Sequence, residues 1–327
     1  MSLNRKVCAG SLLLGIAGSL IYMDAGAQRY PVRPIRLIVG FPVGGAADIV
    51  ARIVGQKLGE RFQQQIVVDN RSGAGGVIAA EITAKAAPDG YTLLMISSSY
   101  AVNAGFRKKL PYDLVKDFAA VTLVASAPLI LIGHPSLPAR AVGELIEMAR
   151  ARPGQLNLAS SGGSGTITHL TGELLKLMAN IDLTHVPYKG AAPALTDLIS
   201  GQVQLAFSSL PAALPQIKAG RVKAIAVTSA KRAGAAPDIP TIAESGVAGY
   251  DATNWYGVLA PAATPKRIVG SLNAGMLQVL RSPDVADAIT RQGADPLGST
   301  PEEFERYMKA EIAKWTKVIR DAGVRPE

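Results

Sequence analysis

Cysteine is nearly missing from this chain: Cys8 is the single one in 327 residues, and it stands ahead of an apolar run from Ala9 to Met23. Loss of that segment leaves a protein without a thiol, which excludes disulfides, cysteine-bound metals and thiol nucleophiles together. A chain of about 300 residues buries enough apolar surface to do without such cross-links. Aromatic residues are few, at 5%, and histidine occurs three times. Lysine and arginine exceed the acids, for a formal net charge of +9, but they cluster only at Arg107-Lys108-Lys109 and Lys231-Arg232. Scattered charge with few stacking rings argues against a nucleic-acid partner, whereas a basic balance suits an anionic solute.

No apolar run is long enough to span a bilayer. Ala9 to Met23 is 15 residues, short of the roughly 20 required. Arg5 and Lys6 precede that run, and Ala25-Gly26-Ala27 places small residues at the −3 and −1 positions before Gln28. These are the three parts of a secretory signal, so residues 1–27 are expected to be removed and the rest exported to the periplasm. Cys8 lies before the apolar run, where a lipid-modified cysteine would follow it.

What is present begins with Ile35 to Arg52. A short β-branched run breaks at Gly40 and again over Pro42 to Gly45, then resumes with Ala46 and aliphatic residues at helical spacing. The pattern predicts strand, glycine turn and helix. Free N–H groups and the positive end of the helix dipole make such a turn a seat for an anion; a connection that binds nothing has the same local pattern. A second unit follows, with strand Gln65 to Asn70, glycines 73, 75 and 76, and a helix over Val77 to Ala87. Ile78 at the third glycine position fails the dinucleotide fingerprint, and no cofactor is expected. Strand Tyr91 to Ile96 ends in Ser97-Ser98-Ser99, hydroxyls that line a cleft or cap a turn.

In the second half, Leu156 to Leu170 repeats strand, Gly/Ser turn and helix. Gly162-Gly163-Ser164-Gly165-Thr166 lacks the last glycine of a nucleophile elbow. His169 and Glu173 stand at i,i+4, but no further histidine lies on that helix, so a surface pair or cap is expected and no metal. Strand Leu183 to Pro187 leads to Tyr188-Lys189-Gly190-Ala191, where Tyr188 can meet a ligand and Lys189 can act as counter-ion or stay in solvent. Near the carboxyl terminus, Thr300, Pro301 and Glu303 form a capping box ahead of Phe304, Met308, Ile312, Trp315 and Ile319, one apolar stripe that is expected to be core.

Taken together, Tyr30-Pro31-Val32-Arg33-Pro34-Ile35, Gly40-Phe41-Pro42-Val43-Gly44-Gly45 with Asp48, Asn70 to Gly76, Pro88-Asp89-Gly90-Tyr91, His185-Val186-Pro187-Tyr188-Lys189-Gly190 and Asn254-Trp255-Tyr256-Gly257 resemble the Bug family. These are periplasmic receptors of tripartite tricarboxylate transporters. The resemblance covers essentially the whole mature chain. It implies an α/β, type II-like periplasmic binding fold of two lobes, with mixed sheets flanked by helices, a hinge and an interlobe cleft. Lobe one would comprise 28–127 and 252–327, lobe two 128–251, with crossings near Ala125 to Ile132 and Tyr250 to Gly257.

The same resemblance implies a small organic acid as ligand and the membrane subunits of the transporter as partners, with a monomer expected. It maps ligand contacts onto Phe41, Pro42, Gly44, Gly45, Ala46 and Asp48 in the first turn, with Ser98 beside it. In lobe two they fall on Ser161, Gly163, Thr166, His169, Tyr188, Gly190 and Ala191. The stretch Ala159 to His169 is one residue longer than the family's usual turn. Asp48 is expected to orient a water or to cap its own helix. Binding without chemistry is the expected mechanism. The alternatives are a sensing partner of a membrane kinase and an exported hydrolase acting on a carboxylate, for which no serine elbow, paired acids or metal set is present.

Overall fold

A computed structural model of the chain describes residues 30–107, 109–161 and 165–325. The expected signal segment, 1–27, lies outside the described residues. Among these residues no helix is long and apolar enough to cross a membrane.

The first β-branched run forms β1 (Ile35–Val39), flanked on both edges by parallel strands β2 (Ile66–Asn70) and β3 (Thr92–Ser97). A strand covered on both edges favours a largely apolar sequence: Ile35, Leu37, Ile38 and Val39 are buried, and the half-buried Arg36 donates to Asp69 of β2 at 2.7 Å. α1 (Ala46–Phe62) connects β1 to β2, and α2 (Val77–Ala84) connects β2 to β3. α2 starts where expected but stops three residues short of Ala87, and its N-cap is Gly76 in the left-handed region. α3 (Ser98–Phe106) begins directly after β3.

β4 (Phe118–Gly133) and β9 (Thr253–Pro261) are the two long antiparallel strands that join the halves of the sheet. Pro128, which lacks an N–H to donate, sits at the handover on β4: pairing to β9 ends at Pro128, and pairing to β7 (Leu205–Ser209) begins at Leu129. Register shifts between Ala120 and Thr122 and between Leu123 and Ala125 bend the strand before that point. Beyond it, β7, β5 (Asn157–Ser160) and β6 (Thr184–Pro187) form a second parallel set. β5 leads through α5 (Ile167–Ala179) to β6, which leads through α6 (Ala191–Ile199) to β7 and then α7 (Leu210–Lys218). The sequence pattern reads Leu195 to Ser200 as helical, and α6 starts four residues before that, because Pro193 falls in its first turn, where no intrahelical N–H is needed.

This register determines where the turns go. Ser97, at the carboxyl end of β3, pairs with Tyr256 of β9, which stands opposite Ala125 of β4. Ser209, at the carboxyl end of β7, pairs with Leu129 of the same strand. Both parallel sets therefore aim their carboxyl ends, and the helix starts that follow, at the crossing between Ala125 and Leu129. In open α/β sheets that edge is where ligands bind.

α8 (Lys266–Leu280), α9 (Pro283–Arg291) and α10 (Pro301–Asp321) complete the chain. The capping box of α10 is present: Glu303 N–H donates to Thr300 Oγ1 at 3.2 Å and Thr300 N–H to Glu303 Oε2 at 2.8 Å. Phe304, Met308, Trp315 and Ile319 are buried as core, and Ile312 is partly so. Buried Glu311 on the same helix accepts the indole N–H of both Trp255 and Trp315, at 2.9 and 3.0 Å, and pairs with Lys314. That shared carboxylate fastens the start of β9, beside the crossing, to α10.

Candidate functional site

The first turn, Gly40 to Gly45, leaves β1 and enters α1 with Gly45 as N-cap and no side-chain cap. Gly44 takes φ +81°, a conformation that a side chain would strain. Asp48, the third residue of α1, is buried and reaches back so that Oδ2 accepts the Gly44 N–H at 2.8 Å. Arg52 Nε donates to the same oxygen at 3.0 Å, and Asn70 Nδ2 donates to Oδ1 at 2.9 Å and to the Phe41 carbonyl at 3.0 Å. Burial raises the Asp48 carboxyl, but these donors outweigh it and hold the group below the usual carboxylate range. Of the roles expected for Asp48, a cap on its own helix is not what forms: its carboxylate holds Gly44, one residue ahead of the N-cap, and so ties the turn.

The side chain thus fastens the turn, while the N–H groups of Ala46 and Ala47, in the first turn of α1, have no intrahelical partner, as at any helix start. Phe41 packs edge-on against Tyr100, with ring centroids 6.2 Å apart, and Pro42, Val43, Gly44 and Ala46 are exposed. Ser98 is buried and donates to Asn254 Oδ1 at 2.6 Å; Asn254 Nδ2 in turn donates to the Tyr256 hydroxyl at 3.0 Å. Its hydroxyl ties the start of α3 to the crossing strand.

The facing turn is built on the same plan. His169, the third residue of α5, accepts the N–H of Gly165 on Nδ1 at 3.0 Å, and Gly165 has φ +73°. A ring nitrogen that accepts carries no proton, so the proton is on Nε2, which lies 3.6 Å from Glu173 Oε1. The sequence reading expected a surface pair or a cap: His169 and Glu173 are buried, packed by α5 beneath the turn against β5 and β6, and His169 holds the N–H just ahead of its helix. The His185 ring stacks on His169, with centroids 3.8 Å apart, and its Nε2 is 2.7 Å from Ser160 Oγ. Burial and then the neighbouring His169 push the His185 pKa down to about 4, so this imidazole is neutral at physiological pH. Burial works against ionisation of Glu173, yet its hydrogen bond with His169 and the Lys176 charge hold the carboxyl below its ordinary value.

Ser161 is half-buried, and Thr166 is the N-cap of α5, with Oγ1 3.1 Å from Thr168 Oγ1. Gly163 lies outside the described residues. Tyr188 donates its hydroxyl to Asp197 Oδ2 at 2.6 Å, which fixes the ring beside the start of α6, where Gly190 is N-cap and Ala191 the first residue. Lys189 is exposed. Gly165 also faces the β1–β3 side: a side chain there would lie 2.7 Å from Phe106 Cζ, so the ring occupies the space that glycine leaves.

The structure therefore brings the expected first-turn and second-half residues to the two edges that meet at the crossing. The supporting residues Arg52, Asn70, His185 and Asn254 were not singled out as site residues, although Asp48 and Arg52 at i,i+4 were a readable signal. Chemically the site offers helix-start amides and no exposed acid–base pair. Ser160 and His185 are at nucleophile–base distance, but Ser160 is 1% exposed and Glu173 addresses His169 instead of His185. Among the described residues no three histidine, cysteine or acidic side chains come together to hold a metal ion.

Two carboxyl edges meeting across a pair of crossing strands define a periplasmic binding protein of two lobes. Residues 50–324 match the family described as tripartite tricarboxylate transporter family receptor, and the chain belongs to it. Protein BugT of Bordetella pertussis is 37% identical, with 99% of each chain covered. The structure titled R. palustris Rpa4515 with adipate is 40% identical at a TM-score of 0.77, covering 91% of this chain and 100% of that one. MatC from Rhodopseudomonas palustris with bound malate is 32% identical at a TM-score of 0.71, covering 89% and 100%.

Proposed function

We propose that this chain is an exported, monomeric receptor that seats one carboxylate of a small organic acid on the amides of the Gly40–Ala46 turn. The β5–β7 side closes over the remainder, and the closed form is presented to the membrane subunits of a tripartite tricarboxylate transporter. Lobe one is 28–127 with 252–327 and lobe two is 128–251; the change of partners at Pro128 and Leu129 supports the boundary. Phe41, Pro42, Gly44, Gly45, Ala46 and Ser98 line or support the first wall, and Ser161, Thr166, His169, Tyr188, Gly190 and Ala191 the second. Asp48 acts through the turn that it holds.

One observation carries the reading. Asp48, the buried acid at the first turn, is already matched by Gly44, Arg52 and Asn70, so an incoming anion meets the helix-start amides of Ala46 and Ala47 with no uncompensated negative charge. The Gly44 and Gly45 N–H groups are engaged by Asp48 and the Pro42 carbonyl. The bound acids of the adipate and malate structures fit that chemistry. Binding proceeds without catalysis: the Ser160–His185 contact is buried, and the His134–Ser136 contact lies within one loop, where Ser136 N–H also donates to His134 Nδ1.

Thermal unfolding of the exported protein with mono-, di- and tricarboxylates, amino acids and aromatic acids tests the proposal. A bound acid stabilises the fold by about 2.7 kcal/mol at a hundredfold excess over its dissociation constant, so a selective rise in Tm is expected. No rise after the protein has been unfolded and refolded to free it of carried ligand would overturn carboxylate binding.

A further inference from the structure

Two segments, one from each side of the proposed cleft, meet at a glycine. α3 belongs to the β1–β3 side and is fixed there along its length. At its start Ser98 Oγ donates to Asn254 Oδ1 of the crossing strand at 2.6 Å, and near its end Asn103 Nδ2 donates to the Gly75 carbonyl at 2.9 Å. At Gly105 the helix lies directly on α10: a side chain there would be 2.5 Å from Thr316 Oγ1 and 2.9 Å from Thr316 Cα. α3 therefore moves with its own side of the molecule.

Phe106, the last residue of α3, is half-buried and reaches the other side. Three of its ring carbons would lie 2.7, 2.8 and 3.2 Å from a side chain at Gly165, so the ring rests on the bare backbone of that glycine. Gly165 is held in its turn as Phe106 is held on its helix. Its N–H donates to His169 Nδ1 at 3.0 Å, and the His169 ring stacks on His185 of β6. Two supported elements thus touch through one ring. Because glycine offers no side chain to interlock with, the contact can part and re-form with no change of rotamer opposite the ring.

On the reading of the chain as a two-lobed receptor with Gly165 in its second wall, we propose that Phe106 is a clasp between the lobes. Seated on Gly165, the ring holds the second wall toward the first; it lifts off as the cleft opens. Phe106 is a positioning residue, which acts on ligand retention through the Gly165 turn and touches no ligand. Apolar area covered only when the walls meet favours the closed form, and whatever raises the population of the binding-competent form raises apparent affinity by the same factor.

The test has a readout that needs no ligand. Without residues 1–27 the chain has no cysteine, so spin labels at Lys85→Cys and Leu177→Cys, exposed sites on opposite sides, report the lobe separation by double electron–electron resonance. Phe106→Ala is expected to move the distances to longer values, and Phe106→Leu, which keeps apolar bulk, to move them less. Surface plasmon resonance with adipate and malate is expected to show Phe106→Ala weakening the acid that binds by about tenfold, mostly through faster dissociation. A ring with a merely structural role would lower Tm and leave the distances unmoved. Circular dichroism confirms that each variant is folded, and Phe106→Leu decides by the same readouts should Phe106→Ala unfold. Unchanged distances, an unchanged affinity, or a loss carried by the association rate would each overturn the clasp and leave the receptor reading intact. If the wild type binds no carboxylate the receptor reading fails, and the distances alone decide the clasp.

Discussion

In the first turn a carboxylate at the third position of a helix reaches back to the N–H of Gly44; in the facing turn an imidazole at the same position reaches back to Gly165. Both glycines take positive φ, and both residues lie just inside the helix start. The plan is shared and the chemistry is not. Asp48 is locked as an anion by Arg52 and Asn70, so the first turn holds its shape at any pH where the protein works. His169 can accept only with Nδ1 bare, and it is supported by a second imidazole stacked on it and by Glu173 at ion-pair distance. On the proposed reading the first turn is a fixed seat and the second a wall in which His185 is neutral at physiological pH.

The largest effect is expected at the fixed seat. Asp48→Ala removes an acceptor from three donors, and a loss of about 2–3 kcal/mol in stability is expected in urea titrations, with a fall in carboxylate affinity of about tenfold or more. Asp48→Asn keeps one acceptor oxygen and should lose less of both. If Asp48→Asn binds and folds like the wild type, the charge at Asp48 has no role in the seat.

His169→Ala is expected to cost about 1–2 kcal/mol, because the Gly165 N–H it releases can turn to water. An affinity loss as large as that of Asp48→Ala would erase the distinction between seat and wall.

Acid separates the two turns further. The folded pKa of His185, about 4, is below its ordinary value of 6.5, so the unfolded chain binds the extra proton first. Stability on its account is full above pH 6.5, declines as pH falls towards 4, and declines no further below that. Asp48 has the depressed carboxylate pKa, so its contribution survives this window and is lost only as pH falls below the ordinary value of 3.8. Urea titrations from pH 7 to 3 should show both steps in that order, and His185→Asn should remove the upper one.

The smallest effect is a control outside both turns. Thr300→Ala breaks the capping box of α10 and is expected to cost about 1 kcal/mol with no change in ligand affinity.

Much of this was legible in the chain. The β-branched run before Gly40, the glycine and Gly/Ser turns and the Thr300 box each announced an element by local chemistry, and the elements formed there. The role of Asp48 was half legible, since its place in a first turn suggested a cap but nothing local named Asn70, which arrives from β2. The stacking of His169 on His185 was not legible, because it depends on β5 and β6 lying side by side. Likewise the boundary of α6 followed Pro193 into the helix, where single-residue preference places a break. Local chemistry marks the turns, and the pairing of strands decides what supports them.

The most direct test of the central claim is a crystal structure of the exported protein with the acid that stabilises it most. The account predicts carboxylate oxygens within about 3 Å of main-chain N–H groups in the Gly40–Ala46 turn, with Asp48 still bonded to Gly44. A carboxylate bound away from that turn would contradict it.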